Sequence, residues 1–243
     1  MSMNDRMTST PGIVIVTGAA RGIGRAIVLS LVREHGCTVL AVSRNEMALA
    51  ALREECSGGP GSLQVFVQDV GALDAAQRLQ AIVGGRRVRA LVHNAGVLHH
   101  RPMGEHERHE LLRLYTVNVL APLELTQALV SELSGDPPGH VVHIGSMGGF
   151  QDSAKFPGLV AYSSSKAALA CMAQCLAEEF KEVGIRCNCL ALGAVNTEML
   201  RAAFPGYLAP VTAEDMGAYV ATFALEGHKL FNGKVLPLAL STP

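Results

Sequence analysis

Seven short apolar runs punctuate the chain, at 13–17, 38–42, 63–67, 88–92, 140–144, 185–190 and 234–238. They are rich in β-branched residues, and most are continuously apolar rather than alternating, as expected of strands covered on both faces. Between them lie longer stretches with helical spacing, at 25–34, 45–56, 73–83, 107–133, 160–181 and 214–225. Residues 58–61 and 135–139 are rich in Gly and Pro and read as a loop and a turn. Residues 147–159 read as a loop and 202–213 as irregular. Strand and helix alternate from end to end with no linker. That order predicts one α/β domain built on a doubly wound parallel sheet, with helices on both faces.

Composition narrows the field. The 243 residues are 49% hydrophobic and 17% charged, with a net charge of −1. A sizeable core can form, and no basic block marks a nucleic-acid partner. No apolar run is long enough for a membrane span, and the first dozen residues lack a secretory h-region. Residues 1–12 read as a flexible start, residues 13–243 as the domain, and the cytoplasm as its location. The six cysteines (Cys37, Cys56, Cys171, Cys175, Cys187 and Cys189) form no Cys-x-x-Cys. They read as free buried thiols, with no metal site expected.

The candidate chemistry sits where strands end. The first run leads into Thr17-Gly18-Ala19-Ala20-Arg21-Gly22-Ile23-Gly24 and then a helix. A strand, a glycine-rich turn and a helix N-terminus together suit a pyrophosphate. Gly18 allows the tight turn, Gly22 the approach of phosphate, and Gly24 close packing of helix on strand. The second run ends in Ser43-Arg44 rather than an acidic residue. Arg44, with help from Arg21, suits a 2′-phosphate and so NADP(H) over NAD(H). Asp69-Val70 ends the third run, where Asp69 either meets an adenine amino group or caps the next helix. Asn94-Ala95-Gly96 follows the fourth, with small residues that let backbone lie close to a flat ligand. Asn118 interrupts an apolar helix and either needs a polar partner or caps a kink near Pro122. Ser146 ends the fifth run. Tyr162 and Lys166, four apart on one helix face, place an ammonium beside a phenol, and the charge is expected to pull the tyrosine pKa down. His99 and His100 either line the pocket mouth or are solvated.

In this order and at this spacing, Thr17-Gly18-x3-Gly22-Ile23-Gly24, Asn94-Ala95-Gly96, Asn118, Ser146 and Tyr162-x3-Lys166 resemble the short-chain dehydrogenase/reductase family, in its short single-domain form. The resemblance runs from Ile13 to the C-terminus and implies a Rossmann fold with a seven-stranded sheet. It implies Tyr162 as the general acid, Lys166 as the residue that binds the nicotinamide ribose and acidifies Tyr162, and Ser146 as the group that polarises the carbonyl. Asn118 is implied to hold a water that links Lys166 to solvent. Gly193, Val195 and Thr197 are implied at the nicotinamide, with Thr197 on its carboxamide. A small carbonyl or alcohol substrate and a homodimer or homotetramer through the long helices, with Ala167, Ala168 and Ala170 at the contact, are implied too. Two departures stand out: Ser146 and Tyr162 are 16 positions apart, longer than is usual, and Leu192-Gly193 replaces Pro-Gly. The segment between Thr197 and Thr212 is short, and a comparatively open pocket is expected. The other readings are an NADP(H) sensor without chemistry and, opposed by the ordered Asn, Ser, Tyr and Lys set, a methyltransferase or other nucleotide-binding protein.

Overall fold

The structure is a computed structural model that describes residues 12–241. The flexible start assigned to 1–12 lies outside the described residues, apart from Gly12. In chain order the elements are β1 (Ile13–Thr17), α1 (Gly22–Arg33), β2 (Thr38–Ser43), α2 (Glu46–Glu55), β3 (Ser62–Val67), α3 (Ala75–Val83) and β4 (Val88–His93). Then come α4 (Arg108–Tyr115), α5 (Ala121–Ala128), α6 (Val130–Leu133), β5 (Gly139–Ile144), α7 (Val160–Glu179) and β6 (Ile185–Leu192). The chain closes with β7 (Val195–Asn196), α8 (Glu198–Ala203), β8 (Val211–Thr212), α9 (Ala213–Glu226) and β9 (Val235–Leu238).

Seven strands form one sheet in the order β3-β2-β1-β4-β5-β6-β9, every pair parallel. This is the predicted Rossmann fold. Parallel strands need helical crossovers, so both faces are covered. One core joins α1, α2 and α9 to the sheet, and a second joins α3, α5 and α7. The five residues of β1 are buried without interruption. The strand order reverses between β1 and β4, and a crevice opens there beyond the carboxyl ends of the strands. Most residues singled out in the sequence for their chemistry collect at that edge.

Three predicted features are corrected. The helix expected over 107–133 is broken by a π turn at Thr116–Leu120, just ahead of Pro122. The stretch 202–213, expected to be irregular, begins inside α8 (Glu198–Ala203) and holds β8, which pairs with β7 in a small second sheet. Cys171 and Cys175 are exposed on α7, whereas the other four thiols are buried. Shared helical spacing put the two on one face without showing which face met the core.

Three histidines are locked inside. His140 Nδ1 faces the Ala224 carbonyl at 3.0 Å and its Nε2 faces Asn188 Nδ2 at 3.0 Å, which ties β5 to β6 and α9. His93 and His143, register partners on β4 and β5, stack with centroids 5.0 Å apart. His93 Nε2 meets Thr126 Oγ1 at 2.8 Å, but both His143 nitrogens are buried without a partner. Burial lowers His140 to about 4 and His143 to about 3, and holds His93 well below its ordinary value. An unfolded chain takes up these protons below about pH 6.5 while the folded one does not, so stability falls as pH drops from there towards 4. Each histidine costs about 1.4 kcal/mol per pH unit in that window. His143→Leu removes an unpartnered polar group. It is expected to raise the urea midpoint at pH 7 and flatten its acid decline, as measured by denaturant titration between pH 7 and 5.

Candidate active site

The glycine turn is shaped by steric need. Gly18 has φ +66°, and a Cβ there would lie 2.8 Å from Ala95 Cα. A Cβ on Gly24 would collide with the Gly18 carbonyl oxygen and the Asn94 amide nitrogen. Gly24 therefore serves contact with the turn itself rather than helix–strand packing in general. Asn94 Nδ2 donates to the carbonyls of Thr17 (3.0 Å) and Gly18 (3.1 Å), and Thr17 Oγ1 accepts from the N–H groups of Asn94 and Ala95. The two expected motifs thus brace each other across β1 and β4. Helix α1 starts at Gly22 with no side-chain cap. Its first N–H groups and positive dipole end face the crevice, as an anion would require.

That crevice is a single cavity of about 1060 Å³. It reaches from Arg44 and Asp69 past Gly22 to Ser146, Tyr162 and Lys166, and is roofed by residues 192–201 and Phe204. Its size is just above the roughly 300–1,000 Å³ usual for ligand pockets. Every residue expected at the cofactor, including Ile23, Ser43, Val70, Ala95, Gly96, Gly193, Val195 and Thr197, lines it. A long cavity with a glycine cradle, an uncapped helix start and a cation at one end fits a dinucleotide.

At the catalytic end, α7 carries Tyr162 and Lys166 on one face. Lys166 Nζ lies 5.8 Å from the Tyr162 ring centroid and donates to the Ile144 carbonyl at 2.7 Å. Burial lowers its ammonium to about 8. Ser146 lines the same end, and its Oγ accepts from Gly148 N at 3.1 Å, so the hydroxyl proton is free to point into the cavity. The expected fall in the tyrosine pKa is corrected: burial raises Tyr162, opposed only by the Ser146 hydroxyl beside it. The Lys166 ammonium, engaged with the Ile144 carbonyl, does not offset that desolvation.

Asn118 is buried in the π turn. Its Oδ1 accepts from Val97 N at 2.8 Å, and its Nδ2 donates to Val97 O at 2.9 Å and Ser165 Oγ at 3.0 Å. The polar residue found partners, and they bind the loop after β4 to α7. A Cβ on Gly96 would lie 3.5 Å from both Asn118 Oδ1 and Lys166 Nζ, so both groups flank that glycine.

The cofactor end differs from expectation in its pairings. Asp69 does not cap α3, where Asp74 holds the cap position. Its carboxylate instead accepts from Gly71 N at 3.0 Å and from Arg113 at 2.7 and 2.9 Å. Burial raises its pKa, but Gly71, Arg113 and Arg44 outweigh that and leave it below the ordinary range. Arg113 was not legible in the sequence, because its partner lies 44 residues away. Arg44 is exposed and 3.8 Å from Asp69. Arg21 is held by Glu198 at 2.6 Å, a contact between the glycine turn and α8 across the cavity mouth. Thr197 Oγ1 caps α8 by accepting from Leu200 N at 3.2 Å, and its methyl lies over Gly22. Gly193 leaves room for the chain end, where a Cβ would come within 2.7 Å of Ser241 O.

Comparison with known proteins agrees with this geometry. The family model described as short chain dehydrogenase matches residues 12–207. An uncharacterized oxidoreductase of Escherichia coli, YciK, is 35% identical over 214 residues, covering 84% of this chain and 79% of that one. Pig carbonyl reductase [NADPH] 2 is 32% identical over 188 residues, covering 77% and 73%. The active-site complex of Pseudomonas aeruginosa RhlG with NADP superposes with a TM-score of 0.82 at 28% identity, covering 93% and 94%. Motif order, strand order and cavity lining therefore converge with sequence similarity, and the chain belongs to the short-chain dehydrogenase/reductase family of oxidoreductases.

Proposed function

We propose that the chain is an NADPH-dependent reductase of a carbonyl compound, with the reverse alcohol oxidation available to the same site. The observation that carries this reading is the convergence of the Tyr162 phenol and Ser146 hydroxyl at one end of a cavity whose other end offers an uncapped helix start and Arg44. The dinucleotide, when bound, supplies a hydride to the carbonyl carbon. Negative charge then grows on the substrate oxygen. Ser146 and Tyr162 donate hydrogen bonds to it, which stabilises charge present mainly in the transition state. Tyr162 delivers its proton to that oxygen. Its raised pKa keeps it protonated at neutral pH, as an acid must be. Lys166 beside it favours the phenolate left behind, and Asn118 next to Lys166 is placed to hold the water that returns the proton.

Preference for NADP(H) rests on Ser43 and Arg44 at the end of β2, where no carboxylate stands to bind a ribose hydroxyl. Asp69 lies near enough to orient Arg44 but is itself neutralised by Arg113. The NADPH in the name of the pig enzyme and the NADP in the Pseudomonas complex support the same choice. Arg44→Ala is expected to weaken NADPH binding about tenfold to a hundredfold, as for loss of one charged hydrogen bond, while NADH binding changes little. Titration of both cofactors checks it, and tighter NADH binding in the unmutated protein would overturn the preference.

The test of the reaction is NADPH oxidation with ketones and aldehydes across pH. Lys166 is charged below its folded pKa of about 8 and loses that charge above it. With Tyr162 raised, the lysine titrates first. We expect kcat/KM, which reports the free enzyme, to decline above about pH 8, and the decline to vanish below pH 10 in Lys166→Arg. Binding of NADPH with no turnover on any carbonyl would instead support a sensor.

The assembly belongs to the same proposal. Leu112, Tyr115, Leu123 and Val160 are exposed apolar residues on α4, α5 and α7, and Ala167 lies exposed beside them. That face suits a second copy of the chain. A cytoplasmic location is also part of this proposal. No helix among the described residues is long and apolar enough to cross a membrane.

A further inference from the structure

Two rings, Phe156 and Phe204, line the cavity together with Ser146 and Tyr162, and His100 packs behind them. Phe204, at the end of α8, meets Phe156 edge-on with centroids 6.1 Å apart and an interplanar angle of 73°. It meets His100 in the same manner, at 5.7 Å and 70°. These residues come from three separate segments: the loop after β4, the loop before α7 and the end of α8. The corner they form is built rather than incidental. Gly158 has φ +78°, and a Cβ there would sit 2.8 Å from His100 Nε2, while Arg101 N donates to the Gly158 carbonyl at 2.9 Å. Phe156 and Phe204 are half-buried, face the cavity and belong to neither core of the sheet. Leu159, which is buried, and Met147 extend the same apolar wall towards Tyr162.

Most of the charged groups lining the cavity are paired with an opposite charge. Arg21, Glu198, Arg44, Asp69 and Arg113 pair among themselves on the cofactor side. Lys166 is held by Ile144, and Arg201 donates to Asn196 Oδ1 at 2.7 Å. At the ring corner the hydroxyls near at hand are those of Ser146 and Tyr162, and both are taken by the reacting oxygen. A polyol would lose part of its hydration against the two phenyl rings, while Arg201 at the cavity lining has no carboxylate partner among the described residues.

Building on the reductase reading, we propose that the substrate is a ketone or aldehyde with an aromatic or alicyclic ring beside its carbonyl, the ring seated on Phe204 and Phe156. Edge-to-face rings favour a flat apolar guest beyond the area that is buried.

The experiment compares kcat/KM with NADPH for an aryl methyl ketone, a small acyclic ketone, a ketose and a 3-oxoacyl thioester. The aryl ketone is expected to exceed the ketose and the thioester by at least about a hundredfold, the upper range for apolar pocket discrimination. Phe204→Ala and Phe156→Ala are each expected to raise KM for the aryl ketone about tenfold or more. The KM for the acyclic ketone and the affinity for NADPH should change much less than the KM for the aryl ketone. Equal turnover of the ketose or thioester, or unchanged KM in both variants, would overturn the proposal. If NADPH binds but no carbonyl is reduced, the reductase reading fails on its own. Calorimetric titration of the NADP⁺-loaded protein with 1-phenylethanol and with xylitol then decides the pocket. Heat from the phenyl alcohol alone supports the ring site, and binding of xylitol, of both or of neither overturns it.

Discussion

Tyr162→Phe is expected to lower kcat at least a hundredfold while NADPH binds as before. The phenol oxygen is both a hydrogen-bond donor to the developing alkoxide and the source of its proton, and one such donor is worth a factor of about 10²–10³. The substitution removes one atom from a ring that is only half-buried, so the fold should be unaffected. The phenyl ring left in the variant would still lie under Lys166 at about the present separation. Stopped-flow turnover and fluorescence titration of NADPH separate the two effects. Near-native kcat in this variant would remove Tyr162 from the reaction and, with it, the assignment of Ser146 and Lys166.

Gly24→Val should abolish cofactor binding and destabilise the fold by several kcal/mol. The added Cβ collides with the Gly18 carbonyl oxygen, which is backbone, and with Asn94, whose amide bridges two carbonyls. Neither can yield without separating the glycine turn from β4. Overpacking a soft side-chain contact costs about 1–3 kcal/mol, and a rigid backbone contact more. Gly24→Ala, with the same Cβ but no branches, should fold and still lose most of its NADPH affinity. Urea unfolding and cofactor titration on the pair check this. Undiminished binding by Gly24→Ala would show that the turn can move as a unit.

The strands were legible because a parallel sheet buried on both faces leaves continuous apolar runs such as 13–17 and 88–92. The glycine turn, Asn94, Ser146, Tyr162 and Lys166 were legible because each stands at a strand end or on a single helix face. What escaped depended on distance or on facing. The π turn around Asn118 lies in a stretch with unbroken helical spacing. Its position is set by the tertiary bonds of the Asn118 amide to Val97 and Ser165, not by local propensity. The partners Arg113–Asp69 and Arg21–Glu198 are far apart in the chain and carry no local signature. Helix α8 did leave a signal: Thr197 followed by Glu198 is a cap with an acidic first turn. The direction of the Tyr162 shift could not be read from spacing, since spacing reports the neighbouring charge and not the water lost around the phenol.

The contact between Arg21 and Glu198 joins positions 177 residues apart. The doorway of the crevice is therefore the product of nearly the whole polypeptide, and no autonomous segment encodes it. An assembly intermediate holding only β1 to β4 would already display the phosphate cradle, yet stand open to water where its substrate should be enclosed. Competence in this molecule thus depends on β6 lying against β5, so that the stretch beyond it can reach back to the opening turn.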